Sequence, residues 1–174
     1  MKQASFLALG GAVAFVAACA TTAATPSGAL DVRAEMQQQV NPAMLSIWEI
    51  TNNAMNEQGG LDAGQMGAAR WQQIAAGADK LAASGKAMAE ATAYVAAAPD
   101  NAEVGEGEVS MADVQRHLDS DPRLVGKMAA AFAAHSEKLA QAARNGDAAP
   151  VSELVAQMDG ICESCHARFW YPEQ

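Results

Sequence analysis

Cys162-Glu163-Ser164-Cys165-His166 constrains this chain more than any other stretch of its 174 residues. Two thiols three residues apart, with an imidazole next to the second, form the attachment pattern of c-type haem. The thiols make thioethers with the porphyrin vinyl groups, and the imidazole becomes the proximal iron ligand. On a helix, Cys165 stands at i+3 and His166 at i+4 from Cys162, so all three reach one face. Eight residues follow His166 in this sequence. A second iron ligand and most of the haem pocket are therefore expected from upstream.

Composition agrees with a cofactor-filled interior. Apolar residues make up 51% of the chain but aromatics only 5%, and the surplus is alanine. Alanine-rich helices pack closely yet bury little area each, and a large cofactor in the core would compensate. The N-terminus reads as an export signal: Lys2, then an apolar run from Phe6 to Ala18 that is short for a membrane span. Val16-Ala17-Ala18-Cys19 resembles a bacterial lipobox, which would make residues 1–18 a signal peptide and Cys19 the lipidated mature N-terminus. The rival is ordinary cleavage after Ala18-Cys19-Ala20. With Cys19 acylated, the haem pair are the only other cysteines among the three, and no structural disulfide is expected. Periplasmic export suits c-type haem, which is attached outside the cytoplasm.

Without Lys2 the chain has 10 Lys and Arg against 20 Asp and Glu, a formal charge of −10. Nucleic acid is an unfavourable partner for such a surface. A redox partner with a basic docking face is the better expectation, with the membrane approached through the lipid anchor.

Residues 19–29 read as a flexible tether, and residues 30–174 as one helical domain. A first helix carries Val40, Met44, Ile47, Thr51 and Ala54 on one stripe and stops at Gly59-Gly60. Asn41-Pro42 suits an N-cap and first turn, which leaves residues 30–40 as a separate turn or a kinked forward extension. Asp62 with Gln65 resembles a capping box opening the second helix. Its stripe runs from Trp71 through Ile74, Leu81, Met88 and Thr92 to Val95, and it ends before Pro99. Ser110 with Asp113 caps a short helix reaching Leu118. Asp121-Pro122 starts a third long helix with Val125, Phe132, His135 and Leu139 in register, closed by Asn145-Gly146. Pro150 lies in the first turn of the last helix, which carries Leu154, Met158, Cys162, Cys165 and Phe169. Nothing reads as a strand with period two. The expected fold is all-α, an antiparallel up-and-down four-helix bundle with haem on the C-terminal helix.

Four amphipathic helices with C-x-x-C-H on the last resemble the class II cytochromes c, the cytochrome c-prime group, over residues 30–170. The resemblance implies a haem c held within the bundle by Cys162, Cys165 and His166, with a first-helix residue facing the distal side of the iron. Family members with Met there are six-coordinate electron carriers, and members with Leu or Phe are five-coordinate and bind gases such as NO. The matching position here is Met36, with Met44 two turns later as the reserve and Pro42 between them. Many members carry a basic residue four positions after the histidine. Here that position is Trp170, within Phe169-Trp170-Tyr171-Pro172, a cluster suited to covering the haem edge or anchoring the tail.

Other readings of the motif fit less well. A structural zinc site needs four ligands, and no second Cys or His pair has suitable spacing. A thioredoxin-like CxxC needs a βαβ setting that is not evident. His135, on an apolar stripe, suits a satisfied interface group better than an iron ligand, and His117 suits the surface. Trp48 and Trp71 read as packing residues, and Arg33 and Lys80 as candidates to neutralise propionates. The Ala- and Gly-rich stripe of the second helix suits contact with a helix or the haem plane, or a homodimer face. No catalytic triad, phosphate loop or carboxylate pair argues for an enzyme. The expected function is single-electron transfer by a periplasmic monohaem protein, with gas binding as the alternative.

Overall fold

The computed structural model describes residues 28–171, so the stretch expected to be a signal peptide, and Cys19, lie outside the described residues. The described chain is predominantly helical, in the order β1 (Leu30–Asp31), α1 (Val32–Glu35), a π-helical turn (Met36–Val40), α2 (Asn41–Asn52), α3 (Ala68–Glu90), β2 (Tyr94–Val95), α4 (Met111–Ser120), α5 (Pro122–Asn145) and α6 (Ala148–Phe169). Among the described residues no helix is long and apolar enough to cross a membrane.

Asn41 is not an N-cap, contrary to the sequence expectation. Its N–H donates to the Met36 carbonyl, and helical backbone runs without a break from Val32 to Asn52. Pro42 explains the wide turn. Its ring has no N–H and crowds the carbonyl four residues back. A turn of five residues just ahead of it lets the helix continue, as π-bulges do.

The second helix is also shorter than its stripe suggested. Asp62 and Gln65 do pair, but they close a 3-10 turn at Ala63–Gln65, and α3 starts after Gly67. It ends at Glu90, because Ala91 turns extended. The buried Tyr94 then folds back, and its hydroxyl donates to the Met88 carbonyl at 2.7 Å. That bond satisfies an acceptor the helix end would otherwise leave bare. Thr92 and Val95 are therefore not helical.

Tyr94–Val95 instead pairs in parallel with Leu30–Asp31, the one short sheet among the described residues. Gln115 of α4 brackets this strand, accepting from Ala96 N–H (2.8 Å) and donating to the Tyr94 carbonyl (3.1 Å). Asp31 accepts from Ala34 N–H and from Ala98 N–H. The segment entering α1 is thus fixed on both sides, and Met36 follows it directly.

α3 and α5 form the densest packing pair, with α2 against α3 and α6 against α5. Asp79 pairs with Arg144 and Lys86 with Glu137, so α3 and α5 run antiparallel. Gly146 (φ +73°) ends α5 in the left-handed conformation that glycine takes without penalty. Two apolar clusters fill the interior. One gathers Met44, Ile47, Ile74, Leu81, Leu139 and Met158. The other gathers Val32, Tyr94, Val114, Leu118, Val125 and Phe169. Each large side chain so buried contributes about 1.5–3 kcal/mol.

Gly85 sets the α3–α5 distance. A Cβ there would stand 2.8 Å from both the Cβ and the backbone N of Ala133. Helix propensity alone would favour Gly85→Ala by about 1 kcal/mol, whereas overpacking costs about 1–3 kcal/mol. Gly85→Ala is expected to lower stability by up to about 2 kcal/mol in urea unfolding. A rise in stability would mean that the helices do not approach this closely.

Candidate functional site

The CxxCH residues occupy little more than one turn of α6, with Cys162, Cys165 and His166 on its half-buried side. Met158, before them, and Phe169, after them, are buried. Cys162 and Cys165 are half-buried free thiols, and His166 is half-buried beside them. The two cysteines divide between the cores: Cys162 packs against the first cluster and Cys165 against the second. Met36 is half-buried and packs against both. The thiols and the methionine, from opposite ends of the chain, thus border the same two clusters. Met44 is almost wholly buried inside the first cluster.

α6 takes its support from α5 along its length and from α4 near Phe169, while α2 rests on α3. α2 and α6 do not pack closely on each other.

Burial pushes both thiols above their ordinary range. The Asp159 carboxylate adds to the effect at Cys162, and the neighbouring Cys162 adds to it at Cys165. At neutral pH both therefore stay protonated rather than acting as activated thiolates.

Asp159, Gly160, Cys162, Glu163 and His166 line an open depression of about 500 Å³ on the outer flank of the motif. Tyr171 folds back over it. Its ring centroid lies 5.9 Å from that of His166, at 52°, and its hydroxyl donates to Glu163 Oε2 at 2.7 Å. That carboxylate holds the Tyr171 phenol above its ordinary range. Phe169 and Trp170 pack into the second cluster, and the Arg168 guanidinium lies over the Phe169 ring at 5.5 Å. Phe169 and Trp170 thus anchor the end of the helix, and the Tyr171 ring lies against the histidine. Pro172 lies outside the described residues.

The remaining singled-out residues fall elsewhere. His135 Nε2 donates to the Leu154 carbonyl at 2.8 Å, tying α5 to α6 as an interface group. Trp48 and Trp71 pack against the first cluster. Arg33 donates to the Glu103 carbonyl at 2.8 Å, and Lys80 is exposed on α3. The sequence reading passed over two contacts near the site. One is the Tyr171–Glu163 bond. The other is the bond from buried Ser84 to Glu35, which joins the residue before Met36 to α3. A tyrosine eight residues after an acidic helical residue gives no periodic signal.

Among the described residues no three His, Cys, Asp or Glu side chains converge to hold a bare metal ion. A porphyrin makes a smaller demand, because it brings its own equatorial nitrogens and asks the protein only for axial ligands and attachment points. No protein-family model, curated protein or solved structure matches this chain.

Proposed function

We propose that this protein is a monohaem c-type cytochrome of the class II, four-helix-bundle kind, exported to the periplasm, which carries single electrons. Bound haem would supply an iron that cycles between ferrous and ferric states. Cys162 and Cys165 would hold the macrocycle through thioethers, His166 would ligate the iron on the proximal side, and Met36 would be the distal ligand. Cys19 would carry a lipid anchor.

The observation that carries this reading is how the motif meets the core. Two free thiols one helical turn apart border the two apolar clusters, one each, and Met36 from the first helix borders both. The absence of close packing between α2 and α6 suits a flat cofactor whose thioethers fix it to α6. The chain's own contribution is then to hold the imidazole in place, exclude water with Phe169 and Trp170, and set the iron's potential through its axial groups. An acidic rim that includes Asp159 and Glu163 suits a docking partner with a basic face, since complementary charge speeds association.

The test uses protein matured in a host that attaches c-type haem. Covalent haem should survive a denaturing gel, and the dithionite-reduced spectrum should show sharp low-spin bands that CO leaves unchanged. A broad high-spin spectrum that shifts with CO would favour gas binding. Absence of covalent haem from the matured chain would sink both readings.

A further inference from the structure

The contacts of Tyr171 point to a second device at the same site, and the inference rests on the cytochrome reading above. Glu163 stands three residues before His166, one turn away on the same side of α6, and both line one depression. A carboxylate so placed is the natural acceptor for the N–H of an imidazole whose other nitrogen binds metal. Such a bond raises the basicity of the ligand. Here one oxygen of Glu163 is already taken. The Tyr171 hydroxyl donates to it at 2.7 Å while the Tyr171 ring lies against His166.

We propose that Tyr171 is a positioning residue that, by bonding one oxygen of the Glu163 carboxylate, weakens it as an acceptor for His166 and thereby sets the reduction potential of the site. With the hydroxyl in place, the imidazole remains an ordinary neutral ligand. Without it, the full charge of Glu163 is available to accept from His166, the ligand becomes more electron-donating, and ferric iron is favoured. Tyr171→Phe is the informative change, because it keeps the ring against His166 and removes only the donor.

Spectroelectrochemical titration of haem-loaded protein tests this. Tyr171→Phe should lower the potential, with a three- to tenfold fall in the ferrous-to-ferric ratio at fixed ambient potential. Tenfold corresponds to about 59 mV for one electron. Adding Glu163→Gln to Tyr171→Phe should restore the wild-type value, because the amide cannot strengthen the ligand as a carboxylate does. A merely structural role for the tail would not be cancelled by that second change. An unmoved potential in Tyr171→Phe, or a fall that persists in the double variant, overturns the inference alone. Wild-type protein without a haem band on the gel overturns it together with the cytochrome reading.

Discussion

Replacing both Cys162 and Cys165 with serine is expected to abolish covalent haem completely, so that the chain runs haem-free on a denaturing gel. The hydroxyl is far too weak a nucleophile to add to a vinyl group under conditions where a thiol does. The fold should survive the change. Both thiols are half-buried free side chains without a disulfide, and serine differs from cysteine by little volume. A loss of about 1 kcal/mol at each position is the ordinary scale for such substitutions. The helical circular dichroism of the apo-protein should therefore stay near that of the unsubstituted apo-protein. His166→Ala separates attachment from ligation: thioethers can still form, but the iron loses its proximal nitrogen and the low-spin spectrum collapses. If the double serine variant still carries haem through denaturation, the attachment assignment is wrong. If it unfolds outright, the cysteines are structural and the motif has been misread.

Much of the helical architecture is legible from local chemistry. Ser110 accepts from Asp113 N–H at the start of α4, Asp121 caps α5, and Gly146 ends it. Each is a short-range device whose partners lie within four residues, so spacing alone reveals it. Longer-range features did not show. The stripe from Trp71 to Val95 keeps helical spacing beyond the real helix end, because Thr92 and Val95 are apolar enough to extend a pattern. What ends α3 is tertiary: the Tyr94 hydroxyl reaches the Met88 carbonyl, and β2 finds a partner in β1, more than sixty residues earlier. A two-residue strand is too short to display alternation.

The π turn was hidden for a different reason. Pro42 signals a disturbed helix, but a start at Asn41 and a widened turn before it satisfy the same local rules. The choice falls to the wide turn in a chain whose α1 is already fixed by Asp31 and the sheet. At the site, the motif residues and their shared inward face follow from spacing on a helix. Their division between two cores, with Met36 touching both, depends on the packing of five helices and has no sequence signature.

Met36→Leu should convert a low-spin spectrum into a high-spin one that responds to CO, with a lower reduction potential. A thioether sulfur opposite the histidine favours ferrous iron, and leucine offers the metal nothing. Burial favours Met36 over its rival as the proposed ligand. Met44 lies almost wholly buried within the first cluster among Ile47, Ile74 and Leu81. Met36 is half-buried and borders both clusters, one of which Cys162 borders and the other Cys165. It is also the first residue of the π turn, held from behind by Asp31 and by the bond from Ser84 to Glu35. Leucine for methionine nearly conserves volume, so stability should change by less than about 1.5 kcal/mol, and a spectral change cannot then be put down to unfolding. Met44→Leu serves as the control and should leave the spectrum as it is. The reverse pattern, with Met44→Leu switching the spin state and Met36→Leu silent, would move the distal ligand two turns along the helix. If both variants leave a wild-type high-spin spectrum unchanged, no methionine reaches the iron, and the protein is better understood as a gas-binding one.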